Sequence, residues 1–196
     1  GPVRILVPMV SSVGEIRAVR EAIDRVTRRL RRCRVPVPER TPPLGAMIEI
    51  PGAALIADAL ARVVDFFAIG TNDLVMYTLA ADRGDESVAH IYDPLHAGVL
   101  RLMQFTVEAA LRARIPASVC GEVAGDPRFA ALLVGMGVRE LSMAPARLLA
   151  VKQRILSVDA VAAERRARII LDQTDQGRIA TLLDDFNEAE AGPLAC

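Results

Sequence analysis

Five short, almost wholly apolar runs alternate with amphipathic segments along the chain. Runs of this length and composition are typical of parallel strands that are covered on both faces of a sheet. The predicted strands are Ile5 to Val10, Leu44 to Ile50, Val64 to Gly70, Ala117 to Gly121 and Glu140 to Met143.

The segments between these runs carry helix signals. Ser12 and Glu15 form a capping-box pattern, and the apolar residues that follow recur every three or four positions. Pro51 and the pair Asp126-Pro127 stand where a first helical turn tolerates proline. The predicted helices run from Ser12 to about Arg32 and over Gly52 to Arg62, Leu95 to Arg114, Phe129 to Met136, Pro145 to Ser157, Asp159 to Leu171 and Gln176 to Glu190.

The strict alternation of strand and helix predicts an α/β fold with a parallel sheet and right-handed crossovers. An open doubly wound sheet and a closed barrel both satisfy that order. The helices predicted after Met143 add no further strand. At 196 residues the chain is long enough to form one domain with a substantial core.

Composition and charge argue against a protein that binds nucleic acid or an anionic membrane through its net charge. Hydrophobic residues make up 52% of the chain and aromatic residues 4%, which predicts a core of Ala, Val, Leu and Ile. Acidic and basic residues number 24 each, so net charge does not hold this chain on nucleic acid or on an anionic membrane. The arginine-rich stretch 28–43 is interpreted as an exposed connection, because it lacks the interleaved aromatic residues of a nucleic-acid site.

The cysteine pattern indicates a reducing compartment. Cys33, Cys120 and Cys196 lack zinc-site spacing, and the chain shows neither a signal peptide nor an apolar run of membrane-spanning length. We therefore expect a cytoplasmic protein without membrane insertion. Gly1-Pro2 is typical of the remnant left when an affinity tag is cleaved.

Polar residues collect where the predicted strands end. The second strand ends in Glu49, the third in Thr71-Asn72-Asp73, the fourth in Cys120-Gly121-Glu122 and the fifth in Ser142. The carboxyl ends of parallel strands meet on one edge of a sheet, where α/β proteins place their sites. We therefore expect these side chains to form the lip of a single pocket.

Glu49 and Asp73 are the first candidates for chemistry in that pocket. Two carboxylates that converge repel each other unless they are protonated, paired with cations or bound to a metal, and hard oxygen ligands suit Mg²⁺. The alternative is that each carboxylate caps the following helix or pairs with an arginine.

Cys120, Arg83 and the two histidines are less specific on their own. Cys120 is either a small core residue or a proton donor in a closed pocket. Arg83 is either a loop charge or a guanidinium aimed at a phosphate or carboxylate. His90 and His96 match no catalytic or metal-binding pattern, so we expect structural or surface roles for both.

Taken together, the motifs resemble enzyme I of the bacterial phosphoenolpyruvate:sugar phosphotransferase system, in its phosphoenolpyruvate-binding barrel. The resemblance covers nearly the whole chain in order. It rests on the segments ILVPMVSSVGEIRAVR, GAMIEIPGAALIADAL, VDFFAIGTNDLVMYTLAADRG, HIYDPLHAGVLRLM and VCGEVAGDPRFAALLVGMGVRELSMA. GTNDL and CGE also occur in pyruvate phosphate dikinases and phosphoenolpyruvate synthases, which leaves those enzymes as alternatives.

The resemblance implies a partial (β/α)₈ TIM barrel. Residues 3–157 would supply about the fourth to the eighth strand of the barrel, and 158–196 would form extra C-terminal helices. The first three strands, with two substrate-binding arginines, and the domain with the phosphorylated histidine would be missing. A barrel with too few strands to close would be inactive alone. A non-catalytic half-barrel that assembles with another copy or a separately encoded half is the other class of function that fits.

The resemblance also implies roles for individual residues. Glu49 and Asp73 match ligands of Mg²⁺, and Asp73 also matches a substrate-binding residue. Asn72 and Arg83 match substrate-binding residues, and Cys120 matches the acid that protonates the enolate of pyruvate. The implied partners are phosphoenolpyruvate and pyruvate, a histidine-containing phosphocarrier protein that docks on the missing domain, and a second copy in a homodimer.

Overall fold

A parallel five-stranded sheet with strands in chain order, β1-β2-β3-β4-β5, organises the protein. The computed structural model describes residues 3–82 and 87–190. The strands are β1 (Ile5–Val7), β2 (Leu44–Ile48), β3 (Phe66–Gly70), β4 (Ala117–Cys120) and β5 (Glu140–Ser142). The predicted α/β class and parallel sheet are therefore confirmed.

Ten α-helices are found in the described residues, and five of them are the first element after a strand. They are α1 (Val13–Arg32), α2 (Pro51–Leu55), α3 (Ala57–Leu60), α4 (Thr71–Leu79), α5 (Ala97–Ala113), α6 (Glu122–Gly125), α7 (Pro127–Gly135), α8 (Pro145–Leu156), α9 (Ala160–Leu171) and α10 (Gln176–Glu190). Among the described residues, no helix has both the length and the apolar character needed to cross a membrane.

The start of α1 follows the predicted capping box. The Glu15 carboxylate accepts hydrogen bonds from the backbone N–H groups of Ser11 and Ser12 at 2.7 and 2.9 Å. These bonds satisfy amides that have no partner within the helix, and they lower the pKa of the Glu15 carboxyl.

The predicted and observed elements differ most at β1, at Ile56 and at α4. Strand β1 ends at Val7, because Pro8 has no N–H to donate to a sheet and Met9 adopts a positive φ of 55°. The predicted helix Gly52 to Arg62 is two short helices, because the backbone leaves helical geometry at Ile56. Helix α4, which begins directly at Thr71, was not predicted.

The helices cover one face of the sheet. On this face, side chains from all five strands belong to the hydrophobic core or pack against it. They are Ile5, Val7, Leu44, Ala46, Ile48, Phe67, Ile69, Ala117, Val119 and Leu141. Burial on both faces is seen for β3, all of whose residues are buried. The expectation of two covered faces is wrong for β1 and β5, which lie at the sheet edges and are partly exposed along their length.

The opposite face of the sheet is curved, so that its two edge strands approach each other. Arg4, just before β1, forms an ion pair of 3.3 Å with Glu140 of β5. The Arg4 guanidinium also lies 5.4 Å from the centre of the Phe66 ring on β3. Side chains from the residue before β1, from β3 and from β5 therefore meet on this concave face.

The last two helices pack on the outside of α7. Ile179, Leu183 and Phe186 of α10 are almost completely buried, as are Ala163 and Ala167 of α9. The apolar stripes of these helices thus extend the core beyond the sheet.

Candidate active site

A pocket of about 730 Å³ opens at the carboxyl end of the sheet. Its walls come from the ends of β4 and β5 and from the first turns of the helices that follow. The lining residues are Asn72, Cys120, Gly121, Glu122, Gly125, Asp126, Ser142, Met143, Ala144 and Arg147.

Glu49 lies one residue beyond the end of β2 and is only 3% exposed. Its Oε1 accepts a hydrogen bond of 2.7 Å from the backbone N–H of Met9. Burial raises the pKa of the Glu49 carboxyl; the Met9 amide opposes that rise, and the neighbouring Asp73 carboxylate adds to it. A buried carboxylate beside a second carboxylate is a costly arrangement without a ligand.

Asp73 stands in the first turn of α4, half-buried, and reaches Glu49 closely enough to share a hydrogen bond with it. The structure thus brings together the two carboxylates that the sequence predicted would converge. Neither of them is among the residues that line the 730 Å³ pocket; they lie beside Cys120, which does line it.

Gly70 makes room for the Glu49 side chain. A Cβ atom at position 70 would lie 2.7 Å from Glu49 Oε2 and 3.0 Å from its Cβ. A residue with any side chain at the end of β3 would therefore displace the carboxylate, since such contacts are too short for carbon and oxygen atoms.

Cys120 is the last residue of β4 and is partly buried. Its Sγ donates a hydrogen bond of 3.4 Å to the carbonyl of Ile69. Burial raises the pKa of the Cys120 thiol, and the negative charges of Glu49 and Asp73 raise it further. The sulfur is consequently a neutral S–H at physiological pH, which is the form that can give a proton.

The start of α4 is fixed to the end of β4. The Asn72 Oδ1 accepts a hydrogen bond of 3.0 Å from the Glu122 N–H, and the Thr71 hydroxyl donates at 2.8 Å to the Cys120 carbonyl. Gly121 between them has φ +97°, and a Cβ there would lie 2.6 Å from Thr71 Oγ1. Only glycine allows both the left-handed backbone and this close approach.

The two histidines lie apart from these contacts. Arg83 falls outside the described residues. His96 caps α5, since its Nδ1 accepts a hydrogen bond of 3.1 Å from the Gly98 N–H, and this confirms a structural role. His90 is exposed in a 3-10 turn over Ala89–Ile91.

Arg147 is the basic residue among the lining residues that sequence reasoning missed, the others being Gly125, Asp126, Met143 and Ala144. It is the third residue of α8, a helix that was predicted but whose first turn was not considered part of the site. The signal was available, because Arg147 follows the end of β5 by only a few residues and the first turn of the helix after a strand faces the same edge of the sheet.

The site offers two carboxylate ligands for a metal ion, which is fewer than a complete coordination shell. In the described part of the chain, no group of three or more His, Cys, Asp or Glu side chains could hold a metal. Glu49 and Asp73 supply two carboxylates, one of them nearly fully buried. This set fits Mg²⁺, which is typically bound by one or two carboxylates and takes its other ligands from water and substrate phosphate.

Comparison with known proteins places the chain in a family. The profile described as "PEP-utilising enzyme, PEP-binding domain", where PEP is phosphoenolpyruvate, matches residues 1–160. A protein of Cupriavidus necator named phosphoenolpyruvate-protein phosphotransferase is 51% identical over 80% of this chain and 26% of its own length. A protein of the same name from Haemophilus influenzae is 38% identical over 95% of this chain and 32% of its own length.

A multiphosphoryl transfer protein of Xanthomonas campestris is 46% identical over 77% of the chain and 17% of its own length. The chain thus spans about a third or less of the length of these curated relatives. A solved citrate lyase from Burkholderia xenovorans superposes with a TM-score of 0.56 at 18% identity, over 97% of this chain and 64% of that one, and shows the fold alone. The family match over most of the chain, with the identity to these relatives, shows that this chain belongs to the PEP-binding domain family of the PEP-utilising enzymes.

Proposed function

We propose that the protein to which this chain belongs transfers the phosphoryl group of phosphoenolpyruvate to a histidine of a protein and releases pyruvate. The observation that carries the proposal is the meeting of Glu49, Asp73 and Cys120 at the ends of three neighbouring strands, where the two carboxylates raise the pKa of the Cys120 thiol. The names of the relatives support the same reaction.

Glu49 and Asp73 would hold a Mg²⁺ ion beside the substrate. When bound, this ion would neutralise the charge on phosphate and enolate oxygens, as phosphoryl transfer requires. The protein's own contribution is to keep two carboxylates together against their mutual repulsion, through the Met9 amide and the space left by Gly70.

Cys120 would supply the proton that converts the enolate into pyruvate. As the bond between phosphorus and the enol oxygen breaks and a bond to histidine nitrogen forms, the electron pair stays on the enolate. The Cys120 S–H then gives its proton to C3, and the thiolate regains a proton from solvent. The raised pKa favours this role, because the thiol is protonated before the step and its thiolate is easily reprotonated after it.

Asn72 and Arg83 would bind the substrate. The Asn72 side-chain oxygen is occupied by the Glu122 amide, which leaves its amide nitrogen as the group to meet the substrate in the pocket. The proposal for Arg83 rests on the sequence resemblance, because that residue lies outside the described part of the structure.

The sheet would be the fourth to the eighth strand of a (β/α)₈ barrel in residues 3–157, with residues 158–196 as helices packed on it. The layer formed by Arg4, Phe66 and Glu140 supports a barrel, because alternate strands of barrels contribute side chains to common interior layers. With an incomplete barrel and no histidine domain, we expect little or no turnover by these 196 residues alone.

The complete protein would act in the cytoplasm as a homodimer. It would pass the phosphoryl group to a histidine-containing phosphocarrier protein as the first step of sugar uptake. The equal numbers of acidic and basic residues and the free thiols of Cys33 and Cys120 agree with a cytoplasmic enzyme that binds no nucleic acid.

A chimera tests the proposed function. The Cupriavidus necator relative would receive this chain in place of its own matching segment, and phosphoryl transfer from phosphoenolpyruvate to protein would be followed by mass spectrometry. We expect transfer by the chimera, a loss of at least about 100-fold in its Cys120→Ala form and no loss in its Cys33→Ala form. A folded chimera that transfers nothing, or an active Cys120→Ala form, would overturn the proposal.

A further inference from the structure

The guanidinium of Arg147 has no partner in the described part of the chain, although it lines the pocket that contains Cys120 and Asn72. Its aliphatic stem lies against Gly125, where a Cβ atom would sit 3.4 Å from Arg147 Cγ and 3.5 Å from its Cβ. The stem is therefore supported by bare backbone, while the charged end makes no hydrogen bond or ion pair with a described residue.

The other charged groups of the pocket wall are already in use. The Asp126 carboxylate accepts a hydrogen bond of 2.9 Å from the Arg128 N–H at the start of α7. Glu122 has a partner of its own. Elsewhere on the surface, Arg128 pairs with Asp184 at 3.2 Å and Arg154 donates to Asn187 at 3.0 Å. Among the described lining residues, Arg147 is the one basic residue. Its charge has no partner among the described residues.

Arg147 shares the pocket wall with acidic residues. Glu122 and Asp126 stand on its wall, and Glu49 and Asp73 lie close enough to Cys120 to act on its thiol. An anionic ligand entering among these carboxylates is repelled by all of them. A guanidinium on the same wall offsets that repulsion and offers a planar fork that matches a carboxylate or a phosphate.

We propose that Arg147 is a substrate-binding residue, which contacts an oxyanion of the ligand from the β5 side of the pocket. The identity of that ligand as phosphoenolpyruvate or pyruvate rests on the proposed function. The chemistry shared by its two ends is a negatively charged group of oxygens, a carboxylate or a phosphate. Cys120 lies between Arg147 and the Glu49 and Asp73 pair in strand order, so the ligand would be held from both sides of the thiol.

The alkylation of Cys120 tests the effect of Arg147 without any substrate. Cys120 would be modified with anionic iodoacetate and with neutral iodoacetamide, and rates would be measured peptide by peptide with exposed Cys33 as the internal reference. We expect the ratio of the iodoacetate to the iodoacetamide rate at Cys120 to fall several-fold in Arg147→Gln. Arg165→Gln, which removes an exposed arginine outside the pocket, should leave the ratio unchanged.

An unchanged ratio in Arg147→Gln would overturn the proposal, provided that circular dichroism shows a folded variant. Arg147→Lys, which keeps the charge and loses the fork, should retain most of the ratio. If all three variants behave alike, Arg147 is a surface residue with no influence on the pocket.

Protection of Cys120 by ligands then separates this proposal from the proposed function. Protection by pyruvate but not by inorganic phosphate would assign the carboxylate to Arg147, and the reverse would assign the phosphate, provided that protection weakens in Arg147→Gln. Protection that is equally strong in wild type and Arg147→Gln would overturn the proposal. If the ratio falls as expected but phosphoenolpyruvate does not protect the wild type, the anion site stands and the proposed substrate does not.

Discussion

The hydroxyl of Thr71 donates a hydrogen bond of 2.8 Å to the carbonyl of Cys120, and so joins the first residue of α4 to the last residue of β4. Thr71 is only 1% exposed, so water does not compete for this bond. The bond holds the backbone of the proposed proton donor against the helix that carries Asp73. Two of the three groups that carry the proposal are therefore positioned by one buried contact.

Replacing Thr71 by valine should destabilise the protein by about 1 to 2 kcal/mol, because it keeps the shape of the side chain and leaves the Cys120 carbonyl without its donor. Urea unfolding would measure the change. Thr71→Ser keeps the hydroxyl and should retain more of the stability. Equal stability of Thr71→Val and wild type would show that the bond does not hold the two elements together.

Replacing Gly70 by alanine should cost about 1 to 3 kcal/mol, since the new Cβ would meet the Glu49 carboxylate at 2.7 Å. Gly52→Ala is the matched control, because a Cβ at position 52 meets no atom within 4 Å. The control should lose no stability in the same unfolding experiment. A Gly70→Ala variant as stable as the control would mean that Glu49 has room to move away.

The pH dependence of alkylation at Cys120 should show the effect of the neighbouring carboxylates on the pKa of its thiol. Because burial and the charges of Glu49 and Asp73 raise its pKa, iodoacetamide should react with Cys120 at higher pH than with free cysteine in solution. Glu49→Gln and Asp73→Asn each remove one charge, and each should move the midpoint at Cys120 to lower pH. A wild-type profile for Cys120 that coincides with that of free cysteine would refute the pKa assignment.

The Glu49→Gln variant should be more stable than wild type at neutral pH in the absence of metal. The pKa of Glu49 is raised in the folded state, so its contribution to stability is present below the ordinary glutamate value and is lost as pH rises through the folded pKa. Glutamine stays neutral throughout. The advantage of the variant should therefore shrink as pH falls toward the ordinary pKa of a glutamate, and urea unfolding from pH 5 to pH 8 would measure it. A stability advantage of Glu49→Gln that grows as the pH falls would contradict a raised pKa for Glu49.

The central strands and the positions around the site were predictable from sequence, because local pattern determines them. The run Phe66 to Gly70 is apolar at every position, and the polar residues after β2, β3 and β4 follow directly from the place where each run stops. Parallel pairing then brings Glu49, Asp73 and Cys120 to one edge, whichever way the sheet curves.

The parts that sequence did not predict depend on tertiary context. The exposure of β1 and β5 follows from helices that cover only one face, which no local pattern records. Helix α4 was missed because Thr71, Asn72 and Asp73 resemble a polar loop, whereas in the structure they form a first helical turn. The break at Ile56 has no proline or glycine at that position to mark it.

The most direct test of the account is a calorimetric titration of phosphoenolpyruvate into the 196-residue chain, with and without Mg²⁺. It would be repeated on Glu49→Gln and Asp73→Asn, with Asp24→Asn as a control that removes an exposed carboxylate from α1. We predict binding that requires Mg²⁺, is lost in both site variants and persists in the control. Binding that is indifferent to Mg²⁺ and to both carboxylates would contradict the claim that these residues form a phosphoenolpyruvate site.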